Sequence, residues 1–280
     1  MAVTAQGITL DLDGPLPVPP QHTLLSVPGV LVEDGDRWLN GVDIYGYPTE
    51  VPYPWDVCAT GTFREKEEGG EPPVPRFNSF GIYLPITCSA MGIGDWRDFA
   101  ERAEAVLLAT SSYAVEVELS KGTSQITGDP NPFFGDANVT VLGGAAVTPA
   151  VGLSWLERAI ALTGRAGMIH AAPEVVSAWG FDKLLEDGEG VLRTANGTPV
   201  VSGGGYVDAE ADGQAPGSGN SYAFATGPVE VRLSELTLVG DDIVGTLDTS
   251  TNLVTFRAER FALATWDTAL QSAVLIDWTP

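Results

Sequence analysis

The sequence predicts an α+β fold, and three observations carry that prediction. One helical period runs unbroken over residues 95–119, two further helix signals crowd residues 148–185, and from Gly188 onward the texture is of short extended runs. Helices and strands are therefore segregated along the chain instead of alternating, which separates α+β from a doubly wound sheet. The chain has 280 residues, 44% hydrophobic and only 18% charged. A chain of that size and composition owns a real core and buries about three-quarters of its unfolded surface.

Residues 1–90 carry few helix signals. Prolines recur through them, from Pro15, Pro17, Pro19 and Pro20 to Pro72, Pro73, Pro75 and Pro85, and proline is excluded from helix interiors and central strands. Short extended pieces fit at 23–27 and 43–47. Arg64-Glu-Lys-Glu-Glu-Gly-Gly-Glu-Pro-Pro reads as a charged loop tip around Lys66. So extended a segment is expected to bury little of itself and to lie on something else. Helix signals begin at Asp95, a cap. Trp96, Phe99, Ala100, Ala103, Val106, Leu107, Thr110, Tyr113, Ala114 and Val117 follow at three- and four-residue steps, with Arg97, Glu101, Arg102, Glu104 and Glu118 on the other side and Lys121-Gly122 closing. A second helix has Thr148 as N-cap and Pro149 in its first turn, places Gly152, Trp155, Leu156 and Ala159 on one face, and stops at Gly164. An apolar run at 168–172 precedes a third helix from Pro173 to about Leu185. Beyond it, 191–194 and 199–201 flank Asn196-Gly197, a strong hairpin signal. Gly203-Gly204-Gly205 and residues 208–220 read as a flexible excursion. Strands are expected at 222–225, 229–233, 236–239, 253–258, 261–266 and 273–278.

Charge narrows the function. Thirty-seven acidic residues face 14 basic ones, a net charge of −23. The lysines are Lys66, Lys121 and Lys183. Neutralising phosphates takes clustered Lys and Arg, so this is not a sequence-reading nucleic-acid binder. Cys58 and Cys88 make neither a disulfide framework nor a zinc site by themselves. They read as reduced, buried small hydrophobes, with a single bridge between them left open. Met1-Ala-Val-Thr-Ala-Gln lacks the basic and apolar regions of a secretory signal, and no apolar run reaches about 18 residues. The expectation is a soluble protein made in the cytosol, where the Asn138 and Asn196 glycosylation triplets carry no weight.

Candidate chemistry is sparse. Gly7-Ile-Thr-Leu-Asp11-Leu-Asp13-Gly14 resembles the nucleophile motif of haloacid dehalogenase-type phosphatases, in which the first carboxylate attacks phosphorus and the second acts as general acid beside Mg²⁺. Leu238-Val-Gly-Asp241-Asp242 imitates that family's distal metal motif. Pro15 and the missing βαβα alternation speak for turn carboxylates instead. His170 has the chemistry of a general base, but His22 is its only fellow histidine, and a satisfied structural role at a strand end is the expectation. Ser154 falls inside a helix, not at a nucleophile elbow. Gly203-Gly204-Gly205 has no following helix and no P-loop Lys. The acidic runs at 65–71 and 208–212 lack calcium-loop spacing. No catalytic, cofactor-binding or metal-ligating residue is assigned.

The order of pieces in the second half is more telling. Gly167-Met-Ile-His-Ala-Ala-Pro173-Glu-Val-Val leads to Gly190-Val-Leu-Arg-Thr-Ala-Asn-Gly197-Thr-Pro-Val-Val-Ser-Gly-Gly-Gly-Tyr206, then Tyr222-Ala-Phe-Ala-Thr-Gly-Pro-Val. Thr251-Asn-Leu-Val-Thr-Phe-Arg-Ala-Glu259-Arg-Phe-Ala-Leu-Ala-Thr-Trp266-Asp267 closes the series. This series resembles major capsid proteins of tailed phages of actinobacteria, which have the Hong Kong 97 fold shared with encapsulins. The likeness spans roughly residues 90–280.

The resemblance implies an N-terminal arm (1–50), an extended loop region (51–90), a spine helix with the peripheral domain (91–147), an axial domain (148–250) and a return to the peripheral domain (251–280). It implies an icosahedral shell of hexamers and pentamers around double-stranded DNA, assembled in the host cytoplasm and located in the virion. It implies neither catalysis nor cofactor nor membrane. Portal, decoration or separate scaffold proteins are the partners it suggests, with non-specific contact to packaged DNA. The spine-helix stripe through Phe99, Val106 and Tyr113 should pack on the returning strands, and the segment around Lys66 should touch a neighbouring subunit without covalent linkage. An acidic wall also suits packaged DNA, since a basic one would adhere to it. The alternatives are the phosphatase using Asp11 and Asp13, a virion accessory or decoration protein, and an encapsulin-like compartment shell.

Overall fold

The computed structural model describes residues 15–32, 35, 37–46, 74–89, 97–122, 131–239 and 247–279. Two 3₁₀ turns, Leu24–Ser26 and Arg37–Asn40, precede the short antiparallel strands β1 (Val42–Asp43) and β2 (Arg76–Phe77). Strand β3 (Phe80–Ser89) precedes the long helix α1 (Arg97–Lys121). Next come β4 (Thr140–Val147), α2 (Pro149–Thr163), β5 (Met168–Ala171) and α3 (Pro173–Phe181). Strands β6 (Leu185–Gly188), β7 (Val191–Thr194), β8 (Pro199–Ser202) and β9 (Asn220–Thr226) follow. The chain closes with β10 (Val229–Leu233), β11 (Thr237–Val239), β12 (Leu247–Asp248), β13 (Leu253–Trp266) and β14 (Gln271–Asp277).

Two sheets organise these elements. The larger has seven strands in the order β4-β14-β9-β5-β8-β7-β6, parallel at β4/β14 and β5/β8 and antiparallel elsewhere. Its strands alternate, as a two-residue period requires. Ile169, Ala171, Ala223, Ala225, Val274 and Ile276 share one core with Leu153, Leu156 and Ile160 of α2 and Val175 and Trp179 of α3. Met168, Phe224 and Ala273, from the same strands, join the core that faces α1. Trp179 fixes α3 to the start of α2 by donating its indole N–H to Pro149 O at 2.9 Å.

The smaller sheet is built on β13, 14 residues long. β3 pairs with it from Leu253 opposite Ser89 to Ala262 opposite Phe80, while β10, β11 and β12 follow one another along it. Leu233 faces Ala262 but Thr237 faces Glu259, so one extra residue bulges between β10 and β11. The chain crosses to this sheet at Gly227 and leaves it at Asp267, whose carboxylate pairs with Arg165 at 3.2 Å. Strands β10, β11 and β12, which fall in the stretch expected to be axial (148–250), thus pair with β13, and β14 returns to the seven-stranded sheet.

Several local expectations need correction. Residues 253–258 and 261–266 are one strand, since nothing between them breaks extension. Strand β3 was missed because Pro85 reads as a breaker; among the described residues β3 pairs with β13 alone, and an edge strand tolerates proline. Gly143-Gly144 hid β4 similarly. The third helix ends at Phe181, four residues early: Lys183 turns left-handed, with φ 56°, and Leu185 starts a strand. Residues 24–26 form a 3₁₀ turn, not an extended piece. Nor does the arm-like segment fail to bury itself. Leu24, Val27, Val30 and Trp38 all lie in the chain's own core, and Val231 N donates to Val30 O at 2.7 Å. In the 208–220 excursion Ala209 and Ala211 are buried, while most of its other residues are exposed.

Helix α1 departs from its predicted stripe. In its first half Ala103 and Leu107 are buried, and Phe99 stacks on Phe256 of β13 at 6.4 Å. In its second half Tyr113 is 56% exposed, while Ser111, Ser112, Glu116, Glu118 and Ser120 are buried. That half still buries Val115 and Leu119 in the core, but beside them it meets the backbone of residues 24–25 and 203–205, and backbone asks for hydrogen-bonding side chains.

Candidate functional site

Asp11, Asp13, Asp241, Asp242, Cys58 and Lys66 lie outside the described residues, and so therefore does any bridge between Cys58 and Cys88. Ser154 spends its hydroxyl on Val151 O within α2, at 2.7 Å. Among the described residues no group of His, Cys, Asp and Glu is placed to hold a metal ion, and no helix is long and apolar enough to cross a membrane.

His170 is fully buried in β5, between the Tyr206 hydroxyl on Nδ1 and Thr226 Oγ1 on Nε2, both at 3.0 Å. Thr226 already donates its own proton to Gly227 O at 2.8 Å. Nε2 must then be the donor to Thr226, leaving Nδ1 to accept from Tyr206. Burial lowers the imidazole pKa to about 3 and pushes the Tyr206 phenol well up, with the Glu116 charge adding to that rise. A neutral, fully satisfied histidine sealed from solvent is a core element. Phe134 covers it at 4.5 Å and touches Phe224 at 6.0 Å and Trp266 at 5.2 Å. Gln271 holds the Phe134 loop by donating to Phe133 O, Phe134 O and the Asp136 carboxylate.

Beside this hub lies a junction that sequence reasoning missed. One oxygen of Glu116 accepts from Leu24 N at 3.1 Å and from the Ser112 hydroxyl at 3.0 Å, and the other from Gly205 N at 3.3 Å. Burial pushes this carboxyl above the usual range, and those three donors only partly offset it. Ser120 reaches Gly205 O at 2.7 Å. A Cβ on Gly205 would sit 2.6 Å from Val117 N, and one on Gly203 would sit 2.4 Å from Glu116 Cδ. The triple glycine is thus neither a phosphate cradle nor free chain; at Gly203 and Gly205 the helix comes too close for a side chain. Two residues on from Glu116, Glu118 is held by Asn131 Nδ2 at 3.0 Å, and Asn131 also pairs with both backbone groups of Asn78. The available signal was Ser112 four residues before Glu116 on one helix face, with the glycines after a strand as its counterpart.

The outer surface carries large apolar side chains. Leu16, Val18, Tyr45, Tyr83, Leu162 and Phe181 are each more than half exposed, Phe181 at 88%. A cleft of about 430 Å³ between the sheets is lined by Tyr45, Arg165, Pro228, Trp266 and Leu270. Exposed apolar side chains of this kind suit contact with other protein where they form a patch.

Solved structures share this arrangement over most of their length. A chain of Gordonia phage Cozz matches with a TM-score of 0.53 at 13% identity, covering 98% of this chain and 91% of that one. A chain of Mycobacterium phage Che8 matches at 0.53 and 11%, covering 99% of both. The capsid of a native GTA particle matches at 0.55 and 15%, covering 99% of this chain and 98% of its own. The fold is the Hong Kong 97-type capsid fold. At these identities the likeness is one of fold, and no protein-family model and no curated protein matches the sequence. Within the capsid fold, α1 takes the place of the spine helix, and the aromatic hub and Glu116 junction tie that helix to both sheets.

Proposed function

We propose that the chain is a major capsid protein, a structural subunit that self-assembles into an icosahedral shell around phage double-stranded DNA. The observation behind this reading is coverage. The likeness runs through the early segment, spine helix and both sheets, 99% of this chain against 98% of a particle's capsid chain, where a shared core motif would leave the periphery unmatched. The exposed apolar side chains are what a subunit completed by its neighbours would present, its stability then depending on assembly. A charge of −23 suits an inner wall that must not grip packaged DNA.

In this reading the subunit is not an enzyme. It forms hexamer and pentamer rings, resides in the virion after assembly in the host cytoplasm, and meets portal, scaffold or decoration proteins. Residues 1–50 serve as arm and 51–90 as extended loop. Residues 91–147 supply spine helix and peripheral domain, 148–250 the axial domain, and 251–280 the return, with strands β10–β12 contributed across to the peripheral sheet. The phosphatase alternative needs a doubly wound parallel sheet, whereas the sheets here are mixed or antiparallel. Size-exclusion chromatography with negative-stain imaging of the expressed protein tests the proposal: rings or closed shells are expected, and a protein that stays monomeric at every concentration and salt would overturn it.

A further inference from the structure

Residues 22–32 run as a strap past α1 between the two sheets: Ser202 N donates to His22 O at 2.8 Å and Val231 N to Val30 O at 2.7 Å. The strap's hydrogen bonds to α1 converge on Glu116 and its partner Ser112. Leu24 inserts as a fully buried anchor, its amide donating to Glu116 at 3.1 Å and the next amide, Leu25 N, donating to Ser112 Oγ at 3.3 Å. Ser112 in turn donates to Glu116. The same carboxylate accepts Gly205 N from the opposite side. One carboxylate therefore ties strap, helix and glycine turn together. It does so without a counter-ion: no ion pair of Glu116 exists among the described residues. The titratable groups on the surrounding elements do not supply one. Tyr206 on the turn is engaged with His170. His22 on the strap directs its ring to Gly190 O and Asp187. On the helix, Glu118 is held by Asn131 and Tyr113 faces outward.

We propose that Glu116 is a proton-operated latch that sets how firmly residues 22–27 are held on helix α1. Docking the strap removes the carboxylate from water, and undocking returns it. The carboxyl is a stronger base when docked than when open, in line with the direction in which burial moves it. Linkage then fixes the sign: proton uptake favours the docked strap, and the hold loosens as pH rises through the docked value. Both end states keep the helix and the sheets, so the strap opens as a local unit. This inference stands independently of the capsid reading.

Hydrogen exchange at the Leu24 and Leu25 amides, corrected for intrinsic rates and read against Ala225 in the central sheet, tests it. In dissociated wild-type protein, protection should rise about threefold or more from about pH 7.5 to about pH 5. Glu116→Gln should abolish that rise, and His22→Gln should keep it. A flat wild-type profile overturns the latch by itself, whether or not Glu116→Gln folds. So does a rise that survives Glu116→Gln or disappears in His22→Gln.

Discussion

The ring of Phe134 meets Trp266 edge to face, with centroids 5.2 Å apart and planes at 82°. Trp266 is the last residue of β13, in the five-stranded sheet, while Phe134 also tilts over Phe224 in the seven-stranded sheet at 6.0 Å. A side chain from the loop after the spine helix thus bonds the two sheets to each other. Edge-to-face geometry sets the positive rim of one ring against the negative face of the other and adds about 0.5–1.5 kcal/mol to burial.

Phe134→Ala should therefore be among the costliest single truncations. Phe134 is fully buried, and its neighbours belong to different sheets that cannot both collapse into the void. The expected loss is about 3–5 kcal/mol. Urea unfolding of dissociated subunits reads it, and a loss below about 1 kcal/mol would mean that the hub does not join the sheets.

The glycine turn offers a paired test. On Gly205 a methyl would meet helix backbone, Val117 N at 2.6 Å, which cannot swing aside; on Gly204 the nearest atom is Tyr113 Cδ2 at 3.3 Å, on an exposed ring that can. Gly205→Ala should give insoluble or strongly destabilised protein, and Gly204→Ala should fold. Equal solubility and equal melting temperatures for the two variants would contradict the close approach of helix and turn.

Much of this was legible in residue order. Pro149 and Gly164 bounded α2 because they act through local backbone geometry, and Asn196-Gly197 marked its hairpin for the same reason: Gly197 N donates to Thr194 O at 2.9 Å. What failed was anything decided by a distant partner. Glu118 reads as a solvated charge until Asn131 arrives from beyond the helix, and Tyr113 reads as core until the glycine turn takes the space beneath that face. Pro85 and Gly143-Gly144 looked like breaks because local rules cannot know that a strand sits at an edge. The Phe134 hub left no periodic trace at all, since a loop residue has no face to repeat.

That same partner-dependence redirects the helix substitution that the apolar stripe suggests. Leu107 is 1% exposed, whereas Val106 beside it is only half-buried. An unpaired carboxylate at Leu107 has no route to water, so Leu107→Asp should cost several kcal/mol (about 3–5) and abolish soluble expression. Val106→Asp should be milder, with soluble protein of lowered melting temperature. The reverse ranking would place the buried face of the first helical half wrongly.

His170 gives a pH signature opposite in sign to that of Glu116. Its folded pKa of about 3 lies below the ordinary histidine value of 6.5, so the unfolded chain binds this proton first as pH falls. The histidine's contribution is fully present above about pH 6.5 and is lost progressively between there and about pH 3. One proton taken up on unfolding sets a slope of at most about 1.4 kcal/mol per pH unit. His170→Leu removes the titrating group. It also strands the Tyr206 and Thr226 hydroxyls, so its stability drops at every pH, but the slope is the diagnostic and not the level. Urea midpoints of dissociated subunits at several pH values from about 7 to 4 provide the measurement. Wild type should lose stability more steeply with acid than His170→Leu, and parallel profiles would show that the His170 proton is not excluded by the fold.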